Sequence, residues 1–356
     1  MLVATAARAA GQDTEPAPCG RTLGLGGAAT WWTDTCGSAK GRAVYVLDAE
    51  DGTLLKKFTI SGMRGVTAGV SFVDIDNDGY SDYAYVADLG GKIYRLSFVN
   101  SPTTPTALVK DNWSIWKVAY TNGSRKFMFT PAVTFGGGDA VYVALGSGDR
   151  ERPLAENYPY VDNIQNYVYA YRDKLDLYSA ATTACNLDGD PSAAGACVLD
   201  YTAAPAACDS PGILPSGSPE KRAWRVGLVY RGEQTVTQAI ILGGMVSLNT
   251  TRPVPSGVCS AALGEGGGYF LNLVNGSGAI GVDGSCGGNV RGKFTGVGLP
   301  TDPVVVYLPG EDPICIGCVS KSNTSDTVGS KLFQPTPVPP PISKKKYRKY
   351  RYTTVD

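Results

Sequence analysis

A short phrase recurs along this chain: a small residue, an aliphatic or aromatic one, then tyrosine inside an alternating apolar run. It stands at Gly41-Arg-Ala-Val-Tyr45-Val-Leu-Asp48, Gly91-Lys-Ile-Tyr94-Arg-Leu96, Asn166-Tyr-Val-Tyr169-Ala-Tyr171 and Gly267-Gly-Tyr269-Phe-Leu-Asn272. Alternation with period two is the signature of a strand that buries one face, and Asp51-Gly52 and Asn275-Gly276 after two of the phrases are hairpin-turn pairs. Further strand-like runs flank the phrases. One set reads Val66–Val73, Asp82–Ala87, Lys92–Phe98 and Ser114–Tyr120; a second reads Phe127–Phe135, Ala140–Leu145, Tyr167–Arg172 and Trp224–Tyr230. Four short strands per unit, with units starting about fifty residues apart where uninterrupted, is the blade pattern of a β-propeller.

Composition agrees with an all-β chain. Forty-five glycines in 356 residues suit many turns, and 43% hydrophobic residues suffice for a large core. No run shows long helical periodicity. Thirty-two basic residues balance thirty-two acidic ones, so no global field points to nucleic acid. The chain has no histidine, which removes Ser-His-Asp and Cys-His nucleophile arrangements, histidine-ligated zinc or haem, and the usual neutral-pH general base. No segment reaches the ~18 apolar residues that a membrane span needs.

The chemistry concentrates in Asp74-Ile-Asp-Asn-Asp-Gly-Tyr-Ser-Asp82. Four carboxylates, Asp74, Asp76, Asp78 and Asp82, repel one another in a tight loop unless a hard, oxygen-seeking cation joins them, and Ca²⁺ accepts six to eight oxygen ligands in flexible geometry. Gly79 supplies the sharp bend, and the Tyr80 carbonyl is placed as a backbone ligand. The loop is shorter than an EF-hand loop and joins strands, not helices. A solvated acidic turn is the bland alternative. Asn186-Leu-Asp-Gly-Asp190 looks like half of a second such loop, weakened by Pro191 and by the missing later carboxylate.

Nine cysteines, most of them in Gly/Ser/Pro-rich segments, read as disulfides made in an oxidising compartment. Cys19–Cys36, Cys185–Cys197 and Cys259–Cys286 are plausible local pairs, although spacing does not fix connectivity, and an odd count leaves at least one thiol free or paired elsewhere. Cys315-Ile-Gly-Cys318 is open between a redox or metal half-site and structural bridging. Two insertions interrupt the repeat, Asp149–Gln165 and Ser179–Arg222; loops this long are functional or disulfide-pinned. The first ten residues make a poor signal peptide, so an exported product points to processing or to a longer parent. The organisation expected is a Cys-containing segment over 1–40, a propeller of about four blades over 41–333, and a Pro-rich linker with a basic tail over 334–356. The tail's six basic residues between Lys344 and Arg351 fit a solvated or edge-protecting role better than nucleic-acid or lipid contact. The first pair of strands, Arg42–Leu47 and Thr53–Ile60, and two candidates near Gly296–Leu308 can close the ring by pairing; otherwise a sheet edge remains that needs a partner.

Taken in order, several phrases resemble the C-terminal domain of the PilY-type type IV pilus biogenesis factors. They are Tyr45-Val-Leu-Asp-Ala-Glu-Asp-Gly52, the acidic loop followed by Asp88-Leu-Gly-Gly-Lys-Ile-Tyr-Arg95, Thr130-Pro-Ala-Val133, Val143-Ala-Leu-Gly-Ser-Gly148, Val168-Tyr-Ala-Tyr171, Ala223-Trp-Arg-Val-Gly-Leu228 and Leu299-Pro-Thr-Asp-Pro-Val-Val-Val306. The resemblance covers roughly residues 41 to 310. It implies a modified β-propeller related to quinoprotein dehydrogenases, with a calcium loop that switches pilus extension and retraction at the pilus tip or bacterial surface, and a part in adhesion. Carried over, Asp74, Asp76, Asp78 and Asp82 are side-chain ligands and Tyr80 the carbonyl ligand; Asp78 stands where the family often has Asn. The family's early blades and large N-terminal adhesive region have no counterpart here, so the chain is expected to be a C-terminal piece or one completed by an upstream polypeptide.

Three functions follow. The first is a non-enzymatic, calcium-binding component of the pilus machinery, whose partners are pilins or other tip proteins and a host or abiotic surface. The second is a generic calcium-stapled extracellular propeller module, although such modules repeat the loop in consecutive blades. The third is a quinone-dependent dehydrogenase remnant, opposed by the absence of adjacent cysteines and of a C-x-x-C-H haem site.

Overall fold

The computed structural model describes residues 2–5, 41–155, 159–177, 184–203, 208–210, 212–214, 220–254, 264–279, 291–294, 298–306, 314–317 and 336–337. The expected all-β architecture is present: among the described residues five sheets follow one another, with two short 3-10 turns between strands.

The second sheet is an antiparallel meander of Ser71–Val73, Tyr83–Ala87, Lys92–Ser97 and Ser114–Tyr120. The third repeats it with Ala132–Gly137, Ala140–Gly146, Tyr167–Lys174 and Ala223–Gly227. The fourth sets Met245–Arg252, Glu265–Asn272 and Gly292–Phe294 beside an inner strand broken into Gln234–Thr235 and Ile240–Leu242. Three-stranded sheets lie at the two ends of the series. Leu2–Thr5, Val44–Asp48 and Leu54–Phe58 form the first; Val304–Val306, Ile314–Ile316 and Thr336–Pro337 form the fifth.

Alternation converts directly into stacking. In the second sheet Ala84, Val86, Tyr94 and Leu96 join Val44, Val46 and Phe58 of the first sheet in one buried cluster. Their neighbours in sequence, Tyr83, Tyr85, Ala87 and Ile93, turn the other way and meet Val141, Val143, Leu145, Tyr169 and Tyr171 of the third. The third sheet's opposite face, through Ala144, Val168, Ala170 and Trp224, packs on Val246, Leu248 and Leu271 of the fourth. The second and third sheets are thus apolar on both faces, as a blade between two blades must be. Burial of side chains this size stabilises by about 1.5–3 kcal/mol each. The fully buried Trp224 also donates its indole N–H to the Leu273 carbonyl at 2.8 Å, linking third and fourth sheets.

The inner strands cross from blade to blade through polar contacts. Ser71 Oγ donates to the Pro131 carbonyl at 2.5 Å and the Gly69 N–H to Thr130 Oγ1 at 2.9 Å. The Thr235 N–H meets the Ser147 carbonyl at 3.0 Å. A buried ion pair, Arg95 to Asp173 at 3.1 Å, sits between the second and third sheets; the Tyr85 hydroxyl donates to the same carboxylate at 2.7 Å.

Three expectations change. The end segments do not close a ring on each other among the described residues: Leu2–Thr5 completes the first sheet, while Ile314–Ile316 and Thr336–Pro337 complete the fifth. The sheet therefore runs past residue 333, into what reads as a proline-rich linker, because Pro337 occupies an edge position that needs no donor. The insertion after Tyr167–Lys174 adds strands that no periodicity announces. Cys185–Asn186 pairs in parallel with the outer strand of the second sheet, and Val198–Asp200 pairs in parallel with that of the third. This strap ties two blades together at their outer edges, and Cys185–Cys197 is a disulfide within it. Cys208 and Cys315 are also disulfide-bonded, which removes a metal or thiol role for Cys315. Cys19–Cys36, Cys259–Cys286 and the basic tail lie outside the described residues.

Candidate metal centre

The acidic loop joins the first two strands of the second sheet, and the hairpin around it is fixed by the ladder: Val73 pairs with Tyr83, and the Asp82 N–H donates to the Val73 carbonyl at 2.9 Å. Nine residues must turn between two antiparallel strands, so the backbone has to leave the usual regions. Asn77 adopts φ 61° and Gly79 φ 94°. Asparagine tolerates the left-handed region, and glycine enters it without steric cost.

The carboxylates organise this turn. Asp74 Oδ1 accepts from the Asn77 N–H at 2.6 Å, and its Oδ2 from Gly79 at 2.9 Å. Asp76 Oδ1 accepts from Asp78 at 3.2 Å, and Asp78 Oδ1 from Tyr80 at 2.8 Å. Loop amides thus bend the chain so that one oxygen each from Asp74, Asp76 and Asp78 lies within 4.8 Å of the others. The three acids are at the surface, half-buried for Asp74 and exposed for the other two. The donors that converge are all hard oxygens, with no nitrogen or sulfur ligand, which fits Ca²⁺ and argues against zinc or copper. Of the five residues singled out from sequence, the structure brings together Asp74, Asp76 and Asp78.

Asp82 plays a different part. It lies outside the tight group and is buried, and its Oδ2 accepts from the Ile75 N–H at 2.7 Å. Burial pushes its carboxyl above the ordinary aspartate range; the Ile75 N–H pulls it partly back, and the charges of Asp76, Asp74 and Asp78 push it further up. Asp82 anchors the start of the loop to its end, and a cation among the other three would relieve the repulsion it feels.

The carboxylates of the second acidic motif are engaged by protein partners. Asp188 lies buried against two arginines, pairing with Arg125 and standing 3.9 Å from Arg225. It also accepts from the Tyr169 hydroxyl at 3.1 Å and the Asn122 N–H at 2.9 Å. Asp190 is exposed and occupied by Ser192, whose N–H donates to it at 2.9 Å. The motif closes the strap against the second and third sheets, and sequence spacing cannot distinguish that from half a calcium loop because both arginines come from distant segments.

One cluster escaped the sequence reading. Glu233 is buried between the third and fourth sheets, accepting from the Tyr269 hydroxyl at 2.7 Å and from Thr250 Oγ1 at 3.0 Å. Burial raises its carboxyl above the ordinary glutamate value, with Tyr269, Thr250 and the Tyr230 N–H opposing. No local spacing marks it, since its partners lie on two other strands.

Parts of the chain are similar to known proteins. Residues 26–149 match the PilY1 beta-propeller domain. Over 74 residues the chain is 35% identical to the type IV pilus biogenesis factor PilY1 of Pseudomonas aeruginosa strain UCBPP-PA14, a stretch covering 18% of this chain and 6% of that protein. PilY1 of strain PAK is 35% identical over 60 residues, 16% of this chain and 5% of its own length. The matched stretch therefore spans a small part of these relatives. The crystal structure of the P. aeruginosa PilY1 C-terminal domain has the same fold, with a TM-score of 0.53 and 16% identity over 77% of this chain and 64% of that one.

Proposed function

This chain carries a β-propeller of the PilY-type C-terminal domain, and from that premise we propose that it is a calcium-binding, non-enzymatic component of the type IV pilus machinery. The observation that carries the calcium part is the convergence of Asp74, Asp76 and Asp78 on a loop whose own amides hold it open for a cation. Asp74, Asp76 and Asp78 would hold the ion, with the Tyr80 carbonyl and Asp82 completing the set. Bound Ca²⁺ supplies charge neutralisation and no redox or hydrolytic chemistry. The chain's residues do the rest: the loop amides fix the carboxylates, Asp82 ties the loop's two ends, and the Tyr83–Ser97 ladder rung carries that order into the blade.

In this reading the ion biases an order–disorder equilibrium of one loop, and the partners that read it are pilins or other tip proteins at an exported, cell-surface location. Surface adhesion belongs to the same proposal. A permanent calcium staple is the competing reading, and reversibility separates the two. Cycling the purified chain between excess Ca²⁺ and a chelator, followed by near-ultraviolet circular dichroism, is expected to give a repeatable spectral change. An ion that resists removal, or a spectrum that never changes, would reject the switch.

A further inference from the structure

The tripeptide Asn-Gly-Ser occurs twice in the chain, at Asn122-Gly-Ser124 and Asn275-Gly-Ser277. In both copies the glycine holds a positive φ, 85° at Gly123 and 64° at Gly276. Asparagine is a chemically labile residue, and it loses its side-chain amide most readily before glycine, because no Cβ shields the following backbone nitrogen from the asparagine Cγ. The two copies share that local chemistry, and their surroundings differ.

Asn275 is locked in place. It is 3% exposed, and its Oδ1 accepts from the Ser277 N–H at 3.1 Å and the Ser277 hydroxyl at 2.7 Å. Its Nδ2 donates to the Cys208 carbonyl at 3.1 Å and the Ser210 carbonyl at 3.2 Å. The Gly276 N–H donates to the Asn272 carbonyl at 2.9 Å, under the rings of Tyr201 and Trp224. Neither the amide carbon nor the nitrogen beside it moves without breaking these contacts. Asn122 is exposed, and its side chain has no hydrogen-bond partner among the described residues. The Gly123 N–H has one long contact, to Thr121 Oγ1 at 3.4 Å, and beyond its chain neighbours nothing lies within 4 Å of where a Cβ on Gly123 would stand. What this turn does hold is the strap. The Asn122 N–H donates to Asp188 Oδ2 at 2.9 Å, Arg125 pairs with the same carboxylate, and the Leu187 N–H meets the Tyr120 carbonyl at 2.8 Å.

We propose that Asn122 is a site of spontaneous deamidation whose product loosens the strap from the second sheet. The Gly123 nitrogen, its proton removed by hydroxide, bonds to Asn122 Cγ. The Cγ–Nδ2 bond breaks, and the amide nitrogen takes a proton from water and leaves as ammonia. A second water opens the resulting succinimide at either carbonyl, giving aspartate or isoaspartate, with no oxidant or reductant involved. Either product places a new carboxylate on the residue whose N–H holds Asp188, and that charge competes with Asp188 for Arg125. Isoaspartate also lengthens the backbone by a methylene inside the turn, between the strand that pairs with Cys185–Asn186 and the arginine that pairs with Asp188.

Ageing the full chain at mildly alkaline pH, folded and in urea, then mapping tryptic peptides and labelling isoaspartate enzymatically, tests the site. Trypsin releases Asn122 in the peptide Val118–Arg125. In the folded chain this peptide is expected to gain the amide-to-acid mass change and the isoaspartyl label, while the peptide holding Asn275 stays unaltered. In urea, where the shared tripeptide acts alone, both are expected to convert. Equal conversion of the two in the folded chain, or no conversion at Asn122 there, would overturn the site, as would a label that persists on this peptide in Asn122→Ser. The effect on the strap is read by hydrogen exchange across 185–200 in wild type and Asn122→Ser aged side by side. Exchange about fivefold faster in the aged wild type is expected. Equal exchange in the two aged proteins would overturn the loosening.

Discussion

The acidic loop at 74–82 and the strap after Tyr167–Lys174 are both long connections of a propeller, and they hold the molecule by opposite means. The loop is local. Its five internal hydrogen bonds join residues no more than seven apart, and its carboxylates gather on the surface. The strap is non-local: it adds a strand to each of two blades, closes with Cys185–Cys197, and inserts Asp188 between arginines 63 and 37 residues away, the differences 188 − 125 and 225 − 188. A loop of the first kind exposes its acidic tip, residues 76–80, and keeps only its base, Ile75 and Asp82, in the core. Release of one of the second kind uncovers blade edges and buried charge. The comparison teaches where stability is placed: the strap ties two blades together, and the tip of the loop is held by its own amides alone.

The largest effect is expected at Asp188. Its removal leaves two partly buried arginines short of a carboxylate, and Asp188→Ala should lose about 3–5 kcal/mol in urea unfolding, by the same amount with and without Ca²⁺. A calcium-dependent loss would break the separation of roles. Next comes the disulfide: Cys185→Ser should cost about 2–4 kcal/mol, again independent of calcium, measured by thermal unfolding under non-reducing conditions. Removing the ion is expected to cost the wild type about 2.7 kcal/mol relative to calcium at a hundred times its dissociation constant. Asp76→Asn should abolish that increment while shifting calcium-free stability by about 0.5 kcal/mol or less. Gly79→Ala adds a Cβ at φ 94° with open space around it. The cost is backbone strain alone, about 1–2 kcal/mol, and it should appear mainly as weaker calcium affinity.

The smallest effect concerns pH. Glu233 has a folded-state value raised above 4.5 by burial, so its favourable contribution is present below about pH 4.5 and is lost as pH rises through the raised value. Denaturant titrations across that window should show stability falling with pH in the wild type, and a flatter profile for Glu233→Gln. Asp82 shifts in the same direction, and calcium uptake in weak acid should release protons.

The same contrast explains what the sequence makes legible. Strands such as Tyr83–Ala87 and Tyr167–Lys174 stand out as apolar runs in which tyrosines alternate with smaller side chains, because each face meets a different blade and both faces are buried. The acidic loop stands out because four carboxylates and a glycine fall within nine residues of one segment. Cys185–Asn186 and Val198–Asp200 are too short to have a period, and their parallel pairing joins segments with no turn between them. The role of Asp188 depends on Arg125 and Arg225, which nothing in Asn186–Asp190 specifies. Asp82 reads as a ligand equal to the others, and only its burial and its bond to Ile75 mark it as the anchor.

Isothermal calorimetry of Ca²⁺ into the chelator-treated chain and into Asp74→Asn addresses the central claim most directly. The account predicts reversible one-site binding in the wild type, and binding weakened severely or lost in a variant that remains folded by circular dichroism. No heat from a folded wild type, or equal binding by both proteins, would contradict it.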